Sequence, residues 1–212
     1  MISRRRGRAG CGRPKSRGAR VMTARLYLLA HGASAATTAA RFPDDEALEI
    51  SAVAALGEIS SRLGPYAHVL ASPARAARET AVVLGLDAKV ETALRDCDYG
   101  CWRGIALKEL ARREPDGFAD WLGDPAAAPH GGESLADLIA RTGAWLSQSL
   151  AYEGAILAVT HAAVVRAAIV NALGAGAAAF WRIDVGPLWL ATLSGREGRW
   201  NLVALGPLGS PS

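Results

Sequence analysis

The chain has 212 residues, half of which are apolar, and this is enough to bury one sizeable core. The formal net charge of +4 comes from the start of the chain. Residues 1–20 hold eight of the 24 Lys and Arg and no acidic residue, which leaves 16 basic against 20 acidic residues in the rest. No apolar run approaches the roughly 20 residues that cross a bilayer, so a soluble protein with no membrane partner is expected.

Residues 1–23 are predicted to form a disordered basic leader. Arg4-Arg5-Arg6 stands among Gly, Pro and Ser, with too few apolar side chains to fold. The segment lacks the apolar stretch of a secretory signal. An organellar transit segment and an arm for nucleic acid remain as alternatives, although the segment has neither an amphipathic period nor interleaved aromatic residues. We expect a dispensable leader, a folded domain that opens near Met22 and a cytoplasmic location, and nucleic acid is not the expected partner.

Residues 24–206 are predicted to form one α/β domain. Two apolar runs of strand length, at 26–30 and 156–160, each end directly before a histidine. Such runs are typical of strands that are buried on both faces. Between them the sequence predicts strands over 68–71 and 90–94 and four helical segments. The helices are expected over 46–62, from Ser72-Pro73 to Gly85, over 105–122 with a break at Pro115, and over 134–150. Ser72 and Pro73 are the expected N-cap and first helical residue of the second helix.

The last part of the domain is predicted to contain a helix over 164–173 that Gly174 ends, and a hairpin of strands over 189–193 and 200–205. Residues 207–212 are expected to be a loose tail. Strands that alternate with helices predict a three-layer α/β/α sandwich with a mainly parallel sheet, and the closing hairpin requires an antiparallel edge.

The two histidines that follow the apolar runs are the first candidate site residues. Ligands of open α/β sheets bind beyond the carboxyl ends of the strands, so His31 and His161 are expected to face one crevice. A neutral imidazole there can attack phosphorus if cations balance the phosphate oxygens. Gly32 lets the backbone come close to a ligand, and Arg75, in the first turn of a helix after another strand, offers the forked donor that suits phosphate.

An acidic loop is the second candidate. Asp96, or one of its neighbours Asp98 and Glu91, could protonate a leaving oxygen and later activate water. Each of these acids, histidines and arginines taken alone has an ordinary explanation as a solvated or core residue.

The three cysteines, Cys11, Cys97 and Cys101, are expected to be free thiols. An odd number without a secretory context does not suggest disulfides, and the pair at 97 and 101 lacks the second pair of ligands that a zinc site needs. The sequence therefore predicts no metal.

Five blocks in chain order resemble the signature blocks of the histidine phosphatase superfamily, the phosphoglycerate mutase-like proteins. The blocks are Ala30-His31-Gly32-Ala33-Ser34, Ser72-Pro73-Ala74-Arg75-Ala76, the segment 96–104, Gly131-Gly132-Glu133-Ser134 and Val159-Thr160-His161-Ala162. The resemblance extends over residues 24–205. It implies a covalent route through a phosphohistidine, with no cofactor and with a small phosphorylated compound as the substrate.

The resemblance also implies a role for individual residues. His31 matches the nucleophile, His161 the second pocket histidine and Asp96 the proton donor. The implied phosphate ligands and further block residues are Arg75 as the helix arginine, Thr37 in place of a phosphate-binding Asn, Gly32, Arg41 before Phe42, and Glu133 in the block before the penultimate helix.

Ala30 departs from the family pattern, which has Arg before the nucleophilic histidine. Loss of one preorganised donor typically costs about 10² to 10³ in turnover. We favour an active phosphatase for a small phosphomonoester, in which Arg41, Arg78 or Arg103 partly replaces the missing cation. The alternative is a pseudo-phosphatase that binds a phosphorylated ligand or partner without turnover. A mutase is disfavoured because residues 105–129 offer few basic residues for a second anionic group.

Overall fold

The computed structural model describes residues 24–59, 63–196 and 198–208. The predicted leader and all of the predicted tail beyond residue 208 lie outside the described residues, as do the last three residues of the helix predicted over 46–62.

A six-stranded sheet forms the centre of the described domain, with the strand order β3-β2-β4-β1-β5-β6. β4 pairs in parallel with both β1 and β2, β3 joins β2 in parallel, and the β5–β6 hairpin adds to β1 in the antiparallel sense. The strands are β1 (Ala24–Ala30), β2 (His68–Ala71), β3 (Lys89–Val90), β4 (Ala155–Thr160), β5 (Trp189–Arg196) and β6 (Arg199–Pro207).

The helices of the described domain cover both faces of this sheet. They are α1 (Ala35–Thr38), α2 (Ile50–Ile59), α3 (Arg75–Val83), α4 (Leu107–Arg113), α5 (Pro115–Gly123), α6 (Leu135–Ser149) and α7 (Ala162–Leu173), with short 3₁₀ helices at Thr92–Leu94, Gly100–Trp102 and Ala177–Arg182. α6 and α7 pack against Leu26 and Leu28 on one face, and α2 and α3 pack against Leu29 on the other. The predicted three-layer α/β/α sandwich with an antiparallel edge is confirmed.

Several local predictions are confirmed at the residues that carry them. Pro115 begins α5 after α4 has ended. Ser134 caps α6 by accepting from the backbone N–H of Asp137. Gly174 ends α7 with a positive φ of 59°, a conformation that glycine adopts without strain.

Two local predictions are wrong. The strand predicted over 90–94 is a two-residue strand followed by the 3₁₀ helix Thr92–Leu94, because the Glu91 carboxylate accepts from the N–H of Ala93 and turns the chain. The helix predicted to start at Ser72-Pro73 starts at Arg75. The hydroxyl of Ser72 does accept from the N–H of Ala74, but it also bonds the ring of His161, so its role is in the site rather than in a helix cap.

A separate aromatic cluster lies where α4 and α5 meet the loops of the carboxyl edge. It consists of Phe42, Trp102, Leu110 and Trp121, all buried, with Tyr99 packed against them. Within the described residues, no helix is long and apolar enough to cross a membrane.

Candidate active site

His31 lies directly after β1, and the parallel pairing with β4 fixes its place. Ala30 is opposite Thr160, and the N–H of His31 donates to the carbonyl of Thr160 at 2.9 Å. Nδ1 of His31 lies 2.7 Å from the carbonyl oxygen of Gly32. A carbonyl can only accept, so Nδ1 carries the proton and Nε2 is left with its lone pair. Burial, and then the nearby His161, lower the pKa of His31 to about 4, which makes the ring neutral at pH 7.

His161 lies directly after β4 and precedes the first turn of α7. Its ring centroid is 5.0 Å from that of His31, with 74° between the ring planes. Nε2 forms a 2.8 Å hydrogen bond with the hydroxyl of Ser72, which follows β2. Three neighbouring parallel strands thus contribute one residue each, as expected at the carboxyl edge of such a sheet. Burial lowers the pKa of His161 to about 3, so this ring is also neutral.

Asp96 comes to the same place from the loop after the 3₁₀ helix Thr92–Leu94. One carboxylate oxygen accepts from the N–H of Cys97 at 2.9 Å, and the other lies 3.4 Å from Nδ1 of His161. That nitrogen is buried and has no partner in good hydrogen-bonding geometry. Burial is the main cause that raises the pKa of Asp96, to about 6, although the N–H of Cys97, His31 and Arg141 act in the opposite direction. A carboxyl group of this kind can both give and take a proton near neutral pH.

A buried ion pair holds the Asp96 loop against α6. The guanidinium of Arg141 makes two bonds of 2.8 Å to the carboxylate of Glu133. It also donates to the carbonyls of Ala93 at 2.6 Å, Arg95 at 3.2 Å and Asp96 at 3.3 Å. Glu133, the family-block residue, therefore acts on the site through Arg141 and does not line the cavity that contains His31.

A cavity of about 140 Å³, which we call the phosphate cavity, opens beside the two histidines. It is lined by His31, Ser34, Ala36, Thr37, Arg41, Pro43, Asp96, Tyr99, His161, Ala162, Ala163 and Arg166. Arg41 and Arg166 provide its guanidinium groups. The Nε atom of each arginine is buried and lacks a hydrogen-bond partner, and such unsatisfied donors call for an acceptor that a bound anion would supply.

Two other predicted phosphate ligands have their polar groups occupied within the protein. The hydroxyl of Thr37, which lines the phosphate cavity, donates to the carbonyl of Ser34 and accepts from its N–H, both at 2.9 Å. The N–H of Gly32 donates to the hydroxyl of Thr80 at 3.0 Å. Gly32 lies in a tightly packed position, since a Cβ there would lie 3.1 Å from the side chain of Leu48.

Arg75 is not brought to the phosphate cavity. Its Nε donates to Glu79 at 2.7 Å, its side chain is 56% exposed, and it lines a separate cavity on the outer surface of α3. The face of α3 that meets the His31 loop carries Thr80 and, one turn earlier, the buried Ala76. One residue of helix is about 100° of rotation, so Arg75 lies off that face. Its assignment as a phosphate ligand stays a prediction that this arrangement does not support.

The cations predicted to replace the missing arginine at position 30 are separated by the fold. Arg41 lines the phosphate cavity, where it also lies 3.8 Å from Glu46. Arg78 lines the outer cavity of α3, and Arg103 is paired with Asp98 at the exposed mouth of the site. Ala30 itself is buried in the core beneath α6 and α7.

Sequence reasoning missed Arg166. It lies one turn after Ala162 on α7, so both side chains lie on the face that lines the phosphate cavity. The signal was present: Arg166 is the one charged residue in the largely apolar α7 segment Ala162–Leu173.

The remaining candidates from the sequence are the cysteines and a metal site. Burial raises the pKa of Cys97, so the thiol is protonated, and it donates to the carbonyl of Glu133. Cys97 and Cys101 are free thiols, whereas Cys11 lies outside the described residues. Among residues 24–59, 63–196 and 198–208, no group of three or more His, Cys, Asp or Glu is arranged to hold a metal ion.

Comparison with known proteins identifies relatives of the whole described domain. The family model of the histidine phosphatase superfamily (branch 1) matches residues 26–207. The bifunctional protein Rv2228c of Mycobacterium tuberculosis is 34% identical over an alignment of 188 residues that covers 84% of this chain and 51% of that protein. The chain thus spans about half the length of the first curated relatives. A glucosyl-3-phosphoglycerate phosphatase of M. tuberculosis is 28% identical over 208 residues, covering 84% of this chain and 92% of that protein.

Solved structures agree with the sequence relatives. The native structure of mycobacterial glucosyl-3-phosphoglycerate phosphatase superposes with a TM-score of 0.74 at 27% identity, covering 85% of this chain and 97% of that one. A structure described as mycobacterial hydrolase 1 gives a TM-score of 0.77 at 25% identity, covering 88% of this chain and all of the other. With a family match across nearly all of the described domain, the chain belongs to the histidine phosphatase superfamily, branch 1.

Proposed function

We propose that the protein is a phosphatase that hydrolyses a small phosphomonoester through a phosphohistidine on Nε2 of His31. The observation that carries this proposal is the state of His31: a neutral ring whose Nδ1 proton is held by Gly32, so that Nε2 presents its lone pair beside the phosphate cavity. An imidazole in this state is a competent nucleophile toward phosphorus.

In the first step, Nε2 of His31 attacks phosphorus and the bond from phosphorus to the ester oxygen breaks. Asp96 gives its proton to the departing alkoxide, which its raised pKa of about 6 allows. In the second step, Asp96 takes a proton from water, the water oxygen bonds phosphorus and the bond to Nε2 breaks. Inorganic phosphate leaves, and both side chains return to their starting states.

The transferring group carries negative charge that neutral histidines do not balance. Arg41 and Arg166 are the guanidinium groups of the phosphate cavity, and both have an unpaired buried Nε. We assign them the charge-stabilising role that the family pattern gives to the missing Arg at position 30. Guanidinium suits this role because it stays charged and donates in a fixed fork.

The relatives support a small phosphorylated substrate. One is named glucosyl-3-phosphoglycerate phosphatase, and phosphoserine phosphatase 1 of Hydrogenobacter thermophilus is 28% identical over 108 residues, half of this chain.

A pseudo-phosphatase is the second candidate, and Ala30 is the observation that favours it. The arginine that the family has at position 30 is absent, and Arg75, the predicted phosphate ligand, is paired with Glu79 outside the cavity. In that case the phosphate cavity binds a phosphorylated ligand without turnover.

The experiment is hydrolysis of an aryl phosphate by the wild type, His31→Ala, Ala30→Arg and the control His68→Ala. His68 is half-buried and lies at the start of β2, away from the site, where it bonds the carbonyl of Glu153. We expect the wild type and His68→Ala to be active, His31→Ala to be inactive, and mass spectrometry to find phosphate on His31 after rapid quenching. If the wild type is no more active than His31→Ala while Ala30→Arg gains activity, the pseudo-phosphatase is correct and the proposal fails.

A further inference from the structure

We infer, on the basis of the proposed function, that the substrate is a phosphomonoester whose alcohol carries an aromatic ring. A second cavity, of about 190 Å³, adjoins the phosphate cavity, and we call it the aromatic cavity. The two share Arg41, Pro43, Tyr99, Ala163 and Arg166, so we place the phosphoryl group and its ester oxygen in the phosphate cavity, beside Asp96, and the ring of the alcohol in the aromatic cavity.

The aromatic cavity is apolar in most of its lining. Four aromatic side chains besides the shared Tyr99 line it, namely Phe42, Trp121, Phe180 and Trp181, and the aliphatic side chains come from Leu107, Leu135 and Leu138. The rings meet at steep angles: Trp121 and Trp181 are 4.8 Å apart at 72°, and Phe180 and Trp181 are 5.0 Å apart at 83°. Rings placed in this way offer both faces and edges to a further ring.

The polar groups of the aromatic cavity do not suit a hydroxyl-rich or amino alcohol. Arg41 and Arg166 are cations and donors, Tyr99 offers a single hydroxyl, and Cys97 already donates its thiol proton to Glu133. No Asp or Glu is found among the described residues that line this cavity. An ammonium group, as in phosphoserine, would therefore lie near two guanidinium groups without a carboxylate partner, and sugar hydroxyls would leave water for an apolar surface.

The volume of the aromatic cavity is sufficient for one ring. An apolar protein cavity of about 150 Å³ is known to hold benzene. A cavity of about 190 Å³ therefore accommodates one substituted ring, or a ring with a short linker to the ester oxygen.

Arg166 is fixed at the border between the two cavities. Its guanidinium carbon lies 5.7 Å from the centroid of Phe180, a cation–π contact that orients the charged end while the stem covers apolar surface. Arg166 would thus bind the phosphate of the ester and also mark the point where the phosphate cavity ends and the ring of the alcohol begins.

The test compares two esters with the same kind of primary alkoxide leaving group, 2-phenylethyl phosphate and ethyl phosphate, with phosphoserine as a third substrate. Since burial of one phenyl group is worth about one to two orders of magnitude, we expect kcat/KM for 2-phenylethyl phosphate to exceed that for ethyl phosphate by about 10- to 100-fold. Phosphoserine should be no better than ethyl phosphate. Equal rates for the first two esters, or a preference for phosphoserine, overturn the inference.

Trp181→Ala tests the cavity itself. Trp181 is 36% exposed, so its removal is compatible with folding, and we expect the ratio of the two kcat/KM values to fall by about 5- to 10-fold. Trp181→Phe should restore most of the ratio. Tyr152→Ala is the matched control: it removes a half-buried ring that packs on His68, next to the amino end of β4, and should leave the ratio unchanged. An unchanged ratio in Trp181→Ala contradicts the assignment.

Calorimetric binding of 3-phenylpropylphosphonate and propylphosphonate separates this inference from the proposed function, because neither compound can be hydrolysed. Tighter binding of the phenyl compound without hydrolysis of any ester supports the aromatic cavity and refutes the phosphatase. Hydrolysis with equal binding of the two phosphonates refutes the aromatic cavity and keeps the phosphatase. Absence of both binding and hydrolysis refutes both.

Discussion

Replacement of Arg141 by Leu should destabilise the fold and displace the Asp96 loop. Arg141 and Glu133 are both largely buried, with side chains 14% and 8% exposed. Removal of one partner leaves the other as an uncompensated buried charge, which typically costs about 3 to 5 kcal/mol. Arg95 stays 3.1 Å from Glu133, although its side chain is 42% exposed, so part of the charge is still balanced.

We therefore expect a loss at the lower end of that range, about 3 kcal/mol in the free energy of unfolding. For a domain of this size, that corresponds to a decrease in Tm of roughly 6 to 12 °C. Replacing both partners by Leu leaves no unpaired charge. The double variant should therefore lose less free energy of unfolding than the sum of the two single losses, by about 1 to 3 kcal/mol.

Urea denaturation of the single and double variants measures these values. Arg113→Leu is the control, because Arg113 forms the same kind of ion pair with Glu109 at an exposed helix surface, where such pairs contribute about 0.5 kcal/mol or less. Losses for Arg141→Leu no larger than for Arg113→Leu, or strict additivity in the double variant, would refute the reasoning. The Arg141 cation also lowers the pKa of Asp96, so the alkaline limb of the activity profile should move to higher pH in Arg141→Leu.

Three further predictions concern the acid, the histidines and the loop. Asp96→Asn should lower kcat by about 10² to 10⁴ on an alkyl phosphate but much less on a nitrophenyl phosphate, whose leaving group needs no proton; equal losses on both esters would exclude Asp96 as the general acid. Stability should fall as pH falls from 6 to 5, because the unfolded chain protonates His31 and His161 near pH 6.5 while burial lowers their folded pKa values to about 4 and about 3. Asp96 opposes this, since its folded pKa is raised to about 6 and it holds a proton that the unfolded chain releases above about pH 4. Together these three groups take up about one proton on unfolding, so the free energy of unfolding should change by about 1.4 kcal/mol per pH unit. Urea denaturation at pH 5 and 6 measures this slope, and His31→Ala, which removes one of the protons, should reduce it by about the same amount. Equal slopes for the wild type and His31→Ala would contradict the pKa values. Gly132→Ala should cost about 1 to 3 kcal/mol in thermal unfolding because its Cβ would collide with a backbone carbonyl of the Asp96 loop, whereas Gly123→Ala, in open space at the end of α5, serves as the control that should not.

The sheet and the pairing of the two histidines were predictable because their signal is local. The runs at β1 and β4 are apolar on both faces, which specifies central strands, and the histidine that follows each run is placed by the direction of the strand. No long-range information was needed to expect that His31 and His161 meet.

The position of Arg75 was not predictable in the same way. Ser72-Pro73 has the local signature of a helix start, but the hydroxyl of Ser72 also bonds His161, and α3 starts at Arg75. The helix thus starts two residues later than predicted, and Arg75 lies one residue, or about 100° of rotation, from Ala76 on the face toward His31. The bond to His161 joins residues 89 positions apart, so no local pattern contains it.

The aromatic cavity depends even more on long-range contacts. Its rings come from the loop after α1, from α5 and from the 3₁₀ helix Ala177–Arg182, which are far apart in the chain. Each ring alone has the sequence pattern of an ordinary core residue, and no local pattern indicates that Trp181 is 36% exposed. Sequence pattern fixes which residues are apolar, whereas the empty space between them is a property of the packed structure.

The charge balance of the phosphate cavity explains how Ala30 is compatible with a phosphate site. The family pattern implies a cation on β1, where this chain has an alanine buried under α6 and α7. Arg166 projects into the same cavity from α7 and Arg41 from the loop after α1, and each has a buried donor without a partner. Both histidines are neutral, so these two guanidinium groups are the cations that line the cavity among the described residues. Turnover therefore requires that these two arginines, which lie outside the family's usual position, stabilise the negative charge that develops on the transferring phosphoryl group.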